Sequence, residues 1–218
     1  FTLTTDQQKA VKDICLDLQD SYSMNRLLQG DVGSGKTLVA WLSSLQVIEQ
    51  NYQVAFMAPT ELLARQHAEQ AAIYLEPLGI RIAFLTGSVP QSRRKHLLEA
   101  LKEGQIDIIV GTHALFSSEV TFKNLKYIII DEQHRFGVAQ RLALLNKGDE
   151  SDVLMMSATP IPRTLALTVF GDLNISTLKV MPKGRLPIIT YLVSDESRKR
   201  MYKSIEVEFN RGHQAYFV

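Results

Sequence analysis

The chain has 218 residues, of which 45% are hydrophobic and 22% charged, with a formal net charge of +1. That length accommodates one ordinary domain and part of a second, and the near-neutral charge gives no general attraction to nucleic acid or membrane, so any polyanion site must be built locally. The lone cysteine, Cys15, excludes an intramolecular disulfide and a cysteine-based zinc site, and no apolar run reaches membrane length, so a soluble chain in a reducing, cytoplasmic compartment is expected.

In chain order, helix-length amphipathic stretches near 5–19, 36–50, 61–76, 90–103, 137–146 and 163–170 alternate with apolar runs of strand length. The runs are 26–29 (RLLQ), 53–58 (QVAFMA), 81–85 (RIAFL), 107–111 (DIIVG), 126–130 (KYIII) and 152–157 (DVLMMS). Strands this uniformly apolar are expected to be covered on both faces. The alternation therefore predicts an α/β fold, a mainly parallel sheet with helices on both faces. Two prolines, a glycine and two basic residues in VMPKGRLP, 180–187, read as a linker. Beyond it, IITYLVS reads as a strand, 196–210 as a helix and QAYFV as another strand. The boundaries expected are 1–180 for the first lobe, 181–187 for a linker and 188–218 for the start of a second lobe. Because the chain begins at Phe1 and stops in an apolar run, it reads as a fragment.

The segment GDVGSGKT, 30–37, fits the pattern G-x-x-x-x-G-K-[ST], with an apolar strand before it and a helix after. Phosphate oxygens need several backbone N–H groups converging on one point, and a tight loop without side-chain bulk can present them. Gly30, Gly33, Ser34, Gly35, Lys36 and Thr37 are the candidate nucleotide-binding residues. Lys36 is expected to neutralise the β- and γ-phosphates and Thr37 to ligate Mg2+. About a hundred residues on, the buried run YIII ends in Asp131 and Glu132. Downstream of such a loop, Asp131 suits the same metal ion and Glu132 suits a base that orients or deprotonates water. ATP and Mg2+ are thus the expected cofactors, and Glu132, Lys36 and Asp131 the candidate catalytic groups. The five histidines, scattered without metal-ligand spacing, offer no second metal site.

Seven segments in order carry a resemblance: FTLTTDQ, GDVGSGKT, APTELLARQH, LTGS, GTHAL, DEQHRFGVAQR and SATPIPRTLAL. Together they resemble the first, RecA-like motor lobe of superfamily-two helicases, and within these the RecG family of bacterial branch-migration helicases. The Mfd family of transcription-repair coupling translocases shares RFGV and ATPIPRTL. That family usually has a tyrosine where Ser34 stands, DEEQ in place of DEQH, and no LTGS.

The resemblance implies further roles, each beside a plainer one. Gln7 would read the adenine edge, or be an ordinary helix glutamine. Thr60, Ser88 and Thr112 would track a DNA sugar–phosphate backbone, or serve as cap and loop hydroxyls. Ser157 and Thr159 would bond toward Asp131 and Glu132 and couple hydrolysis to motion, or be satisfied buried hydroxyls. Gln133 and His134 would sense the nucleotide, and Arg135 and Phe136 would relay its state, although Phe136 also suits a core position. The implied substrate is branched or forked DNA, and the implied partners are a second motor lobe with an arginine finger and a wedge domain, in a monomeric motor. The alternatives are an Mfd-type lobe, a P-loop NTPase unrelated to nucleic acid, and a module that only binds nucleotide.

Overall fold

A computed structural model describes residues 2–132, 151–159, 173–180 and 189–217. The chain divides into two compact units, Phe1–Lys183 and Gly184–Val218. The first unit opens with helix α1 (Thr5–Asp17), whose N-cap Thr4 forms a reciprocal capping box with Gln7. Then follow β1 (Asn25–Gly30), α2 (Lys36–Glu49), β2 (Gln53–Met57), α3 (Glu61–Leu75), β3 (Ile82–Leu85), α4 (Gln91–Lys102), β4 (Ile108–Gly111), β5 (Leu125–Ile130), β6 (Asp152–Ser157) and β7 (Asn174–Leu178). The seven strands form one sheet in the order β3-β4-β2-β5-β6-β1-β7, and every pairing is parallel.

The side-chain period of two explains the two layers. Along β5, Tyr127 and Ile129 face one core with Ala10 and Ile14 of α1, Trp41 of α2 and Ala64 of α3. Ile128 and Ile130 face the other, with Leu101 of α4, Leu115 and Val120. The central strands are buried on both sides, as their unbroken apolar composition requires. Two polar residues stitch the loops at the far end of the sheet. Gln53 donates to the carbonyls of Leu101 and Ile106 at 2.9 and 2.8 Å and accepts from the Lys123 and Asn124 N–H groups at 2.8 and 3.1 Å. Asp152 accepts the Met24 N–H at 2.7 Å. Arg26 on β1 reaches Asp17 of α1 at 2.7 Å and Ser176 of β7 at 2.8 Å.

The six expected strands and the first four helices all form, with ends displaced by a residue or two. The edge strand β7 was not anticipated. The expected helices near 137–146 and 163–170 and the 181–187 linker lie outside the described residues.

In the second unit, α5 (Arg198–Asn210) follows a 3-10 turn at Asp195–Ser197. The runs expected as strands on either side are corrected: residues 189–194 and 214–217 adopt no strand and are exposed. An apolar run becomes a strand only with a ladder partner, and neither run pairs with one among the described residues. No helix among the described residues is long and apolar enough to cross a membrane.

Candidate nucleotide site

Because all strands run the same way, their C-terminal ends share one edge, where ligands of open parallel sheets bind. The residues after β1, β5 and β6 lie together on three adjacent strands, while those after β2, β3 and β4 occupy the neighbouring half. The candidate nucleotide residues fall on the first half and the candidate DNA residues on the second.

Beyond β1 the chain turns through Gly33 and Gly35, both at positive φ (79° and 87°), and enters α2 at Lys36. At Gly35 an added Cβ would also collide with the Gln7 amide nitrogen. Gly30 is required for space: a Cβ there would lie 2.6 Å from Ser34 Oγ and 3.0 Å from Leu178 Cβ. Ser34 is fully buried, and its hydroxyl has no partner among the described residues and turns inward beneath the loop. Its backbone is engaged within the protein, the N–H donating to the Asp31 carbonyl at 3.1 Å and the carbonyl accepting from Gln7 at 2.8 Å. The Lys36 ammonium donates to the carbonyls of Gly30 at 2.6 Å and Asp31 at 3.1 Å. Burial pushes its pKa below the ordinary lysine value, opposed by the carboxylates of Asp131, Glu132 and Asp31.

Gln7 is buried and braces the loop. Its Nε2 donates to the Ser34 carbonyl at 2.8 Å, and its Oε1 accepts the Thr4 N–H at 2.9 Å. One N–H and one lone pair of the amide remain uncommitted.

Asp131 sits at the end of β5, its N–H held by the Met57 carbonyl at 2.8 Å. Its Oδ1 accepts the Glu132 N–H at 3.0 Å, and its Oδ2 lies 2.8 Å from His67 Nε2. Glu132 has φ 49°, a left-handed conformation that costs a non-glycine residue about 1–3 kcal/mol and is concentrated at functional sites. Gln7, Lys36, Thr37, His67, Asp131 and Glu132 all line one cleft of about 570 Å³.

That donor set suits magnesium. Mg2+ keeps several waters and takes one or two protein oxygens, with phosphates supplying the rest. Asp131 and the Thr37 hydroxyl are hard oxygen donors lining the same cleft, and no cluster of three metal-binding side chains occurs among the described residues.

His67 was not singled out from the sequence. The signal available was its place seven residues after Thr60, two helical turns along the same face of α3.

Ser157, at the end of β6, lies on the strand between β1, which leads into the phosphate loop, and β5, which carries Asp131 at its end. Its hydroxyl is 3.0 Å from Thr159 Oγ1 and 3.1 Å from the Thr159 carbonyl, and it accepts the Thr159 N–H at 3.2 Å. Among the described residues the two hydroxyls bond to each other and to the Thr159 backbone, brought together by a two-residue turn, and not to Asp131 or Glu132. Gln133, His134, Arg135 and Phe136 lie outside the described residues.

On the other half, Thr60 is the exposed N-cap of α3 and accepts the Leu63 N–H at 3.3 Å. Ser88 donates to Glu61, which also takes the Thr86 hydroxyl at 3.1 Å. Those bonds, the Ser88 one foremost, hold the Glu61 carboxyl below its usual range. With its proton on Glu61, the Ser88 hydroxyl offers a phosphate only lone pairs. Thr112 is buried at the end of β4, with its N–H 3.3 Å from the Leu85 carbonyl. Thus Thr60, Ser88 and Thr112 share one stretch of the sheet edge, and only Thr60 and Ser88 are exposed.

Comparison with known proteins places these observations. The family model described as DEAD/DEAH box helicase matches residues 4–168. The ATP-dependent DNA helicase RecG of Treponema pallidum is 56% identical over the whole chain, which covers 33% of that protein. The RecG of Borreliella burgdorferi is 55% identical over the whole chain, which covers 32% of it. Among solved structures, RecG bound to a three-way DNA junction matches with a TM-score of 0.87 at 44% identity, covering 98% of this chain and 29% of that one. The chain thus spans about a third of the length of the curated relatives it matches.

Proposed function

The chain belongs to the DEAD/DEAH box helicase family, and on that premise we propose that it is the ATP-binding motor lobe of a RecG-type helicase that remodels branched DNA. The observation that carries the reading is the convergence of the Gly33–Thr37 loop, Gln7 and the Asp131–Glu132 pair on one cleft. Resemblance over the full chain to RecG proteins, one of them solved on a three-way junction, supports the DNA substrate.

The geometry supports the following division of labour. Backbone N–H groups between Gly33 and Thr37, at the start of α2, bind phosphate oxygens. Lys36, held on the loop carbonyls and lining the same cleft as Asp131 and Glu132, exchanges those carbonyls for the β- and γ-phosphates. Thr37 and Asp131 would hold Mg2+, which would supply positive charge against the phosphates. Glu132, strained into the cleft rim, accepts a proton from the attacking water. Gln7 offers its remaining N–H and lone pair to the adenine edge. Ser157 and Thr159 couple turnover to movement as a preformed pair standing between the loop and the carboxylates. Thr60 and Ser88, with backbone N–H groups nearby, track the DNA backbone without reading its sequence. The lobe is read as residues 1–180, joined through 181–187 to the start of a second lobe at 188–218, in a monomeric cytoplasmic motor.

Efficient hydrolysis is assigned to contacts from a second lobe, since an arginine finger is worth about 10³–10⁵ in rate. Steady-state ATP turnover, with and without forked DNA, tests this on the 218-residue chain and on the full-length protein. Slow, DNA-insensitive turnover by the chain beside DNA-stimulated turnover by the full-length protein is expected. A full-length protein whose turnover ignores forked DNA would overturn the helicase reading.

A further inference from the structure

Asp131 has a partner that no phosphate-binding motif supplies. His67, on the inner face of α3, is buried, and its Nε2 lies 2.8 Å from Asp131 Oδ2. The ring is clamped in place. Phe56 of β2 packs on it with ring centroids 4.7 Å apart, and Phe56 stacks at 4.5 Å on Trp41 of α2. This aromatic column crosses from the helix that follows the phosphate loop to the helix that carries His67, so the ring has little freedom to swing.

The other ring nitrogen, Nδ1, is buried with no hydrogen-bond partner among the described residues. A buried N–H without an acceptor is costly, and a lone pair left bare is less so. The proton therefore belongs on Nε2, where it meets Asp131. The carboxylate is then held at both oxygens, by the Glu132 N–H on Oδ1 and by His67 on Oδ2. Each oxygen keeps a lone pair for a ligand in the cleft that both residues line.

A buried pair of this kind adds little stability over well-packed apolar side chains. A hydrogen bond on a metal-binding carboxylate, by contrast, fixes its orientation, and loss of such a partner typically costs about 10–100-fold in metal affinity or activity. We propose that His67 is a positioning residue that holds Asp131 for the nucleotide-bound magnesium ion. The inference rests on the reading of Asp131 as a magnesium ligand.

The test is the affinity of the 218-residue chain for a fluorescent non-hydrolysable ATP analogue, measured with Mg2+ and with EDTA. The ratio of the two affinities isolates the metal's contribution from general folding damage. His67→Ala and His67→Asn should lower the ratio about tenfold and leave the EDTA affinity within about twofold. His67→Gln, whose amide nitrogen reaches the place of Nε2, should restore most of it, whereas Asn reaches only the place of Nδ1. Should His67→Ala fail to fold, the contrast between Gln and Asn decides. An unchanged ratio in the His67 variants, or Gln no better than Asn, overturns the proposal. Asp131→Ala separates the layers: a ratio lost there but unmoved by His67 variants defeats only the role of His67. A wild-type ratio of one defeats the metal assignment of Asp131 and the role of His67 with it.

Discussion

Replacing Gln7 with Ala removes a brace and a ligand group together, and the two effects can be read separately. The brace comes first. In the folded chain the Ser34 carbonyl loses its donor and the Thr4 N–H loses its acceptor. The carbonyl is buried beneath the phosphate loop, where an unmade bond costs about 1–3 kcal/mol, and the partly exposed N–H, which can turn to water, costs about 0.5–1 kcal/mol. Stability should therefore fall by about 1.5–4 kcal/mol with no nucleotide present, equivalent to roughly 3–16 °C in midpoint for a unit of this size. The single tryptophan, Trp41, is buried in the first unit and serves as the fluorescent reporter for thermal unfolding. The ligand effect is scored by the ratio of ATP to GTP affinity, which should collapse toward one because the spare N–H and lone pair are gone. An unmoved unfolding midpoint would refute the bracing role, and an unmoved base preference would refute adenine reading.

Other substitutions probe separate parts of the account. Gly35→Ala forces a side chain into φ +87° and onto the Gln7 amide, so nucleotide affinity should drop at least about tenfold, or roughly 1.4 kcal/mol, by equilibrium titration; unchanged binding would contradict the loop geometry. Gln53→Leu removes the side-chain bonds to four backbone groups, of which the Leu101 carbonyl keeps the Gly104 N–H, and should cost about 3–5 kcal/mol in urea unfolding, with nucleotide affinity of the folded chain preserved. The Asp6 carboxyl is held below its ordinary value of 3.8 by the N–H groups of Val180 and Lys179. Its contribution is therefore present above pH 3.8 and is lost as pH falls through the lower folded value. Asp6→Asn should be less stable than wild type at neutral pH, with the gap closing in acid; a gap constant down to strongly acid pH would contradict this.

The legible parts of the sequence were those where one local pattern had one physical meaning. Central strands such as YIII are apolar at every position because both faces are covered, and GDVGSGKT turns tightly into a helix because its glycines take positive φ. Strand β7 escaped notice because NISTL is an edge strand whose Asn174 and Thr177 face out and whose Ser176 is buried only by pairing with Arg26. IITYLVS and QAYFV failed the other way, because strand propensity without a neighbouring ladder is not a strand. The roles of His67 and Gln53 were illegible for a third reason. Each is a lone polar residue whose partners lie far along the chain, 64 residues away for Asp131 and 48–71 for the backbone groups that Gln53 ties. Only the fold brings them together. The pairing of Ser157 with Thr159 is readable from their spacing, because a two-residue turn brings the two hydroxyls within bonding distance.

The central claim is that this cleft binds ATP with magnesium through the phosphate loop and Asp131. The most direct measurement is a titration of the 218-residue chain with a fluorescent ATP analogue in the presence of Mg2+, beside the Lys36→Ala variant. The account predicts saturable, magnesium-dependent binding that Lys36→Ala weakens at least about a hundredfold, or roughly 2.7 kcal/mol. Absence of binding, or binding indifferent to Lys36, would contradict it.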